Sequence, residues 1–220
     1  MTVLLFVATI MVFLGIDYVV RRSKNATQPV AVPTPVASLR FPEGIFFSKT
    51  HTWLNLFPSG KVQLGIDDFV KRMFVAPQVT LLKAEGEMVK KGDAIIRMQE
   101  GKNSFFVHSP IEGRITQRNM RLTGKSEAVN DDLFVHGWAY AIEPKDGAAE
   151  LRNFLLGAET KAWMKSELAR LRDFMATATA TQAEYAGVYL QDGGEPMPGV
   201  LTHISPVACA HFEEQFLSTK

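Results

Sequence analysis

At 220 residues and a formal net charge of +1, the chain is long enough to bury a hydrophobic core without metal or disulfide staples. Its 24 Lys and Arg against 23 Asp and Glu are scattered rather than gathered into a basic stripe, which excludes a nucleic-acid-binding surface. The single cysteine, Cys209, excludes an internal disulfide framework and fits a reducing compartment.

The chain opens with an apolar run. Residues 3–20 read VLLFVATIMVFLGIDYVV, and as a helix they extend roughly 27 Å, close to the hydrocarbon thickness of a bilayer, so a transmembrane helix is expected there. No basic residue precedes the run, whereas Arg21, Arg22 and Lys24 follow it. That order argues against a cleaved signal peptide; by the positive-inside tendency it predicts a single pass through the inner or cytoplasmic membrane, with the remainder facing the cytoplasm. Asp17, a turn from Arg21, reads as an interfacial carboxylate rather than an ion pathway. Residues 21–43 carry Pro29, Pro33, Pro35 and Pro42 with neither helical nor strand periodicity, which predicts an extended Pro-rich cytoplasmic linker. Asn25-Ala26-Thr27 matches the glycosylation pattern, an accident in a cytoplasmic segment.

Residues 44–144 change texture to short apolar runs separated by glycine turns. Val62, Leu64 and Ile66 alternate with Lys61, Gln63 and Gly65, and Trp138, Tyr140 and Ile142 alternate near the far end, the pattern of half-buried strands. Further apolar runs at 94–98 and 105–107, with Gly65, Gly86, Gly92 and Gly113 at turn or bulge positions, predict a mainly β domain, a small antiparallel sandwich or flattened barrel. A short helix over 67–73 is favoured by its acidic start and by Lys71 and Arg72 at its end. Residues 145–220 are expected to form a helical C-terminal extension. Met164, Leu168, Leu171, Met175 and Ala178 recur at helical spacing opposite Lys165, Glu167 and Arg170, a face expected to dock on the sheet domain, with a partner seam as the alternative. A loop is expected at 192–196 and a last short helix at 212–217.

The chemistry-bearing stretch is Met98 to Gly113, MQEGKNSFFVHSPIEG. One apolar strand enters a turn holding Gly101 and Lys102 and a second leaves it, so Lys102 is expected at the tip of a β-hairpin. An amine held there is accessible to a modifying enzyme while the strands fix where a tethered group swings. This block resembles the glycine cleavage H protein family. The likeness includes Phe47 to Trp53 (FSKTHTW), Leu64 to Phe69 (LGIDDF), Gly86 to Asp93 (GEMVKKGD), Ser109 to Gly113 (SPIEG), Val129 to Asp132 (VNDD) and Gly137-Trp138. Pro110 and Gly113 fall eight and eleven residues beyond the lysine, as in the family.

The resemblance implies a lipoyl/barrel-sandwich hybrid, biotinyl/lipoyl-like domain over 44–144, with lipoate joined to Lys102 through an amide. It also implies a carrier that shuttles an aminomethyl or similar group between partner enzymes and is no catalyst by itself. The implied partners are the membrane, a lipoyl-attaching enzyme and glycine cleavage or other lipoyl-dependent enzymes. The chain departs from the family at Gln99, where Glu is usual, with Glu100 one place later; at Gly101, Asn103 and Ser104; at Thr52, between His51 and Trp53; and at Leu133-Phe134. A one-residue shift along a strand turns a side chain to the opposite face, so these departures leave an unmodified interaction module as the alternative. The Met-Lys-Met context of biotin carriers is absent. His51 and Trp53 read as core and edge residues that otherwise would contact partners. Cys209, His203 and His211 have poor spacing for zinc.

Overall fold

The structure, a computed structural model, describes residues 39–125, 132–178 and 198–218. The expectations for residues 3–20 and most of the linker, for Asn25 to Thr27, Val129 to Asp131 and the 192–196 loop lie outside these residues. Among the described residues no helix is long and apolar enough to cross a membrane.

The glycine-punctuated region folds as short strands because its apolar residues alternate over only two to seven positions between turns. Among the described residues these are β1 (Phe46–Phe47), β2 (Thr52–Leu56), β3 (Val62–Ile66), β4 (Gln78–Leu81), β5 (Met88–Val89), β6 (Ala94–Glu100), β7 (Asn103–His108), β8 (Gly113–Arg118), β9 (Gly124–Lys125) and β10 (Trp138–Pro144). They pair antiparallel in a six-stranded sheet, β1-β2-β3-β10-β8-β5, and a four-stranded sheet, β7-β6-β4-β9. The mainly β expectation is met. Tyr140 joins the sheets: from β10 its buried hydroxyl donates to the Ile95 carbonyl in β6 at 2.8 Å and accepts from the Lys83 amide at 3.0 Å. Burial raises the pKa of this phenol, keeping it the donor the bridge requires.

Strand β10 is not half-buried as its alternation predicts. Ala139 and Ala141 are buried along with Tyr140 and Ile142, because the 3₁₀ turns Gly147–Asn153 and Met120–Leu122 lie against it. Of the four glycines expected at turns or bulges, Gly86 and Gly92 are in turns. Gly65 lies in β3 opposite the bulge in β10 between Trp138 and Tyr140, as a bulge position requires, whereas Gly113 opens β8; at both, neighbours approach too closely for a Cβ, and one on Gly65 would stand 2.7 Å from the Trp53 indole. Helix α1 (Asp68–Lys71) is shorter than the predicted 67–73, and it starts where the Asp67 carboxylate accepts from the Val70 amide at 2.9 Å.

Residues 39–43, expected in the spacer, pack on the domain: Leu39 is buried, Phe41 meets Phe47 edge-on at 5.8 Å, and the Arg40 amide reaches Asp68. The compact unit begins at Ser38.

The C-terminal extension enters the same core. Helix α2 (Ala158–Ala178) docks through Met164, Leu171 and Met175, with Leu168 and Ala178 half-buried beside them, so the docking reading of that face holds. Phe174 joins the buried face. Glu167, expected towards solvent, is 5% exposed. At 100° per residue it stands only about 60° from Met164, on the flank of the stripe. Helix α3 (Pro206–Phe212) opens with Ser205 capping the Ala208 amide and Pro206 at its first position, then widens into a π-helical turn, Glu213–Leu217. Phe212 is fully buried; it stacks on Phe216 at 4.9 Å and tilts against Phe105 of β7 at 5.7 Å.

Candidate functional site

Glu100 and Asn103 are the last paired residues of β6 and β7, so Gly101 and Lys102 form a two-residue hairpin loop. Gly101 takes φ +59°, while Lys102 stays outside the left-handed region, the pattern of a type II′ turn with glycine at its first central position. Lys102 is exposed, and its amine has no ion-pair or hydrogen-bond partner among the described residues. That leaves its nitrogen sterically open to acylation.

The residues flanking the loop are the opposite of free. Glu100 accepts from the Ala76 amide at 2.7 Å, the Val75 amide at 3.3 Å and the Thr202 hydroxyl. Asn103 is fully buried, and its amide nitrogen donates to the carbonyls of Leu201 at 2.8 Å and Ile204 at 2.9 Å. Gln99 donates to the Gly101 carbonyl at 3.3 Å. The carboxylate that sequence reading places one position out of register is therefore occupied by the protein's own backbone and by Thr202. No local pattern signals this, since the partners are 24 and 102 residues away.

A second cluster surrounds His51. Its side chain is 0% exposed, stacks on Phe69 at 4.1 Å, and sits at φ +61°. Nδ1 lies 2.8 Å from the Asp67 carboxylate and Nε2 lies 3.7 Å from Glu167, whose two oxygens each accept from Arg170 at 2.7 Å. Burial pushes the imidazole pKa down, but Asp67 and then Glu167 outweigh it, so the pKa is raised. Burial likewise works against the Glu167 carboxylate, yet His51 and Arg170 lower its pKa. The Asp67 contact was legible in principle: Thr52 pairs with Ile66 across β2 and β3, which sets residues 51 and 67 opposite each other. His51 and Trp53 are both buried, as the core reading expects.

A cleft of about 1150 Å³ is lined by Lys49, Lys91, Pro110, Trp163, Glu167 and Arg170 among others. Lys91 and Pro110 flank the base of the β6–β7 hairpin, roughly 20 Å along the strands from Lys102. The cleft is thus separate from the exposed lysine.

Cys209 is buried, its thiol donates to the Ser104 carbonyl at 3.4 Å, and burial first and Glu213 second push its pKa up to about 11, so it is no reactive thiolate. Among the described residues no group of three or more His, Cys, Asp or Glu is arranged to hold a metal ion; the residues first weighed for zinc, Cys209, His203 and His211, form no such group.

Residues 45–167 match the family model described as Glycine cleavage H-protein. The chain is 32% identical over 104 residues to the glycine cleavage system H protein of Coprothermobacter proteolyticus, covering 47% of this chain and 82% of that one. It is 27% identical over 120 residues to the probable glycine cleavage system H protein of Pyrococcus furiosus, covering 54% and 89%. A crystal structure of a glycine cleavage system H protein from Mycobacterium marinum aligns over 57% of this chain and 99% of its own, at 20% identity and a TM-score of 0.49.

Proposed function

The chain belongs to the glycine cleavage H-protein family, and from that premise we propose that it carries lipoate on Lys102 and moves a lipoyl-bound aminomethyl or similar group between partner enzymes. The family is a carrier with covalently attached lipoate and not a catalyst. The observation that carries the assignment to this residue is the exposed, unpartnered Lys102 amine on a rigid two-residue loop. Loading forms an amide between the lipoate carbonyl carbon and Nζ. The attaching enzyme activates the carboxylate as an acyl adenylate from a nucleoside triphosphate, releasing pyrophosphate; Nζ loses a proton to solvent, attacks the acyl carbon and expels the nucleoside monophosphate. When bound, the group supplies the sulfur pair, while this chain supplies position and recognition.

Intact-mass measurement of the protein from its native host tests this: a lipoyl-sized increment is expected in the wild type and absent in Lys102→Arg. An unmodified wild type would favour the second reading, an unmodified scaffold or interaction module, which Gln99 and the internally occupied Glu100 carboxylate support.

Anchoring belongs to the same proposal. The apolar run at 3–20 and the basic residues after it support a single pass through the inner or cytoplasmic membrane with the carrier domain facing the cytoplasm. The full chain is expected in the membrane fraction, and a chain starting at Ser38, where the compact unit begins, in the soluble one. A full chain that stays soluble defeats the anchor.

A further inference from the structure

We propose that the C-terminal segment Pro198–Ser218 is a positioning and specificity element of the Lys102 loading site. The inference rests on the carrier reading above and goes beyond it, because the family match ends at residue 167, well before this segment begins.

Four observations carry it. First, the segment holds the loop from both sides: Asn103 uses both amide hydrogens on the Leu201 and Ile204 carbonyls, and Glu100 takes the Thr202 hydroxyl. Second, the segment is itself fixed to the domain. The Gly199 amide donates to the Arg72 carbonyl and the Leu201 amide to the Met73 carbonyl, both at 2.8 Å. Third, its entry turn is tailored to the neighbouring loop: Gly199 has φ +88°, and a Cβ there would stand 2.5 Å from Val75 Cγ2. Val75 is the residue whose amide binds Glu100. Fourth, the segment closes the sheet edge beside the lysine. Strand β7 ends the four-stranded sheet, so one side of its backbone is open to pairing. Its Ser104 carbonyl and Phe106 amide, two residues apart and therefore on one edge, are taken by the Cys209 thiol and the Glu213 carboxylate.

An attaching enzyme cannot extend this sheet at β7. It meets a composite surface, the loop with Val75 on one side and Thr202 on the other, and finds the loop already ordered. An unbraced loop would have to be ordered on binding, which weakens capture without altering the chemistry that follows.

The test is loading of the full chain in detergent by a lipoate-attaching enzyme with lipoate and ATP, followed by intact mass. Thr202→Val is nearly isosteric and removes only the hydroxyl that binds Glu100; Thr202→Ser keeps it. Thr202→Val is expected to raise KM for the protein about fivefold with kcat unchanged, and to speed amide exchange at Gly101 and Lys102, while Thr202→Ser behaves as wild type. If wild type is loaded and Thr202→Val is loaded with the same KM, or faster, the positioning role is wrong and the carrier reading stands. A wild type that takes no lipoate sinks the carrier reading and this inference with it.

Discussion

The Lys102 loop and the His51 cluster both depend on the C-terminal extension, and they use it in opposite ways. At the loop, the extension binds only the neighbours, Glu100 and Asn103, and leaves the Lys102 cation in water with no partner among the described residues. At His51, helix α2 brings Glu167 onto an imidazole that is 0% exposed and already paired with Asp67. An exposed amine next to restrained backbone is within reach of another protein. A buried imidazole hydrogen-bonded to Asp67, with Glu167 of the helix 3.7 Å from its other nitrogen, ties the extension to the domain instead. The difference separates two uses of one extension: it braces the backbone beside an exposed amine and it covers a buried imidazole.

The comparison can be broken hardest at the hinge between the two regions, Phe212, whose ring lies between β7 and the π-helical turn. Phe212→Ala is expected to lower unfolding free energy by about 3–5 kcal/mol in urea titrations, because the cavity forms in a fully packed aromatic cluster. A loss under about 1 kcal/mol would show that the extension is not part of the cooperative core.

Asp67→Ala comes next. It strips the Nδ1 partner from the buried imidazole and the cap from α1, with an expected cost of about 3 kcal/mol by the same titration.

The pH dependence sharpens the His51 side. His51 has its pKa raised from 6.5, so its contribution is complete below 6.5 and is lost as pH rises through the higher folded value. Glu167 has its pKa lowered from 4.5, so its contribution is complete above 4.5 and is lost as pH falls through the lower folded value. Both are fully present only between pH 4.5 and 6.5. Urea midpoints across the acid limb should therefore fall less steeply in Glu167→Gln than in wild type; parallel limbs would remove Glu167 from the linkage.

The smallest effect on stability belongs to Lys102→Arg. At an exposed loop position it should stay within about 0.5 kcal/mol of wild type while abolishing the lipoyl-sized mass increment, which separates the role of the amine from the fold.

The strands and the loop were readable because their signals are local. Alternation at Val62, Leu64 and Ile66 needs only period two, and a glycine before Lys102 between apolar runs needs only turn chemistry. Alternation misled at β10, where Ala139 and Ala141 are small enough to read as an exposed face yet are buried. Helical period assigned Glu167 to solvent; its true position on the edge of the buried stripe followed from which neighbour the helix met. Leu39 and Phe41 were absorbed into the linker because prolines on either side mask two residues that pack on the domain.

By itself, the order of residues determined the mainly β class, the helical extension and the placement of one lysine in a tight turn, since each follows from interactions over a few positions. Only the tertiary structure decided that Glu100 would bind Thr202, that Asn103 would be buried under the Leu201 and Ile204 carbonyls, and that His51 would be buried between two acids. Those outcomes depend on contacts between residues up to about a hundred positions apart, whose geometry is set when separate surfaces dock and exclude water.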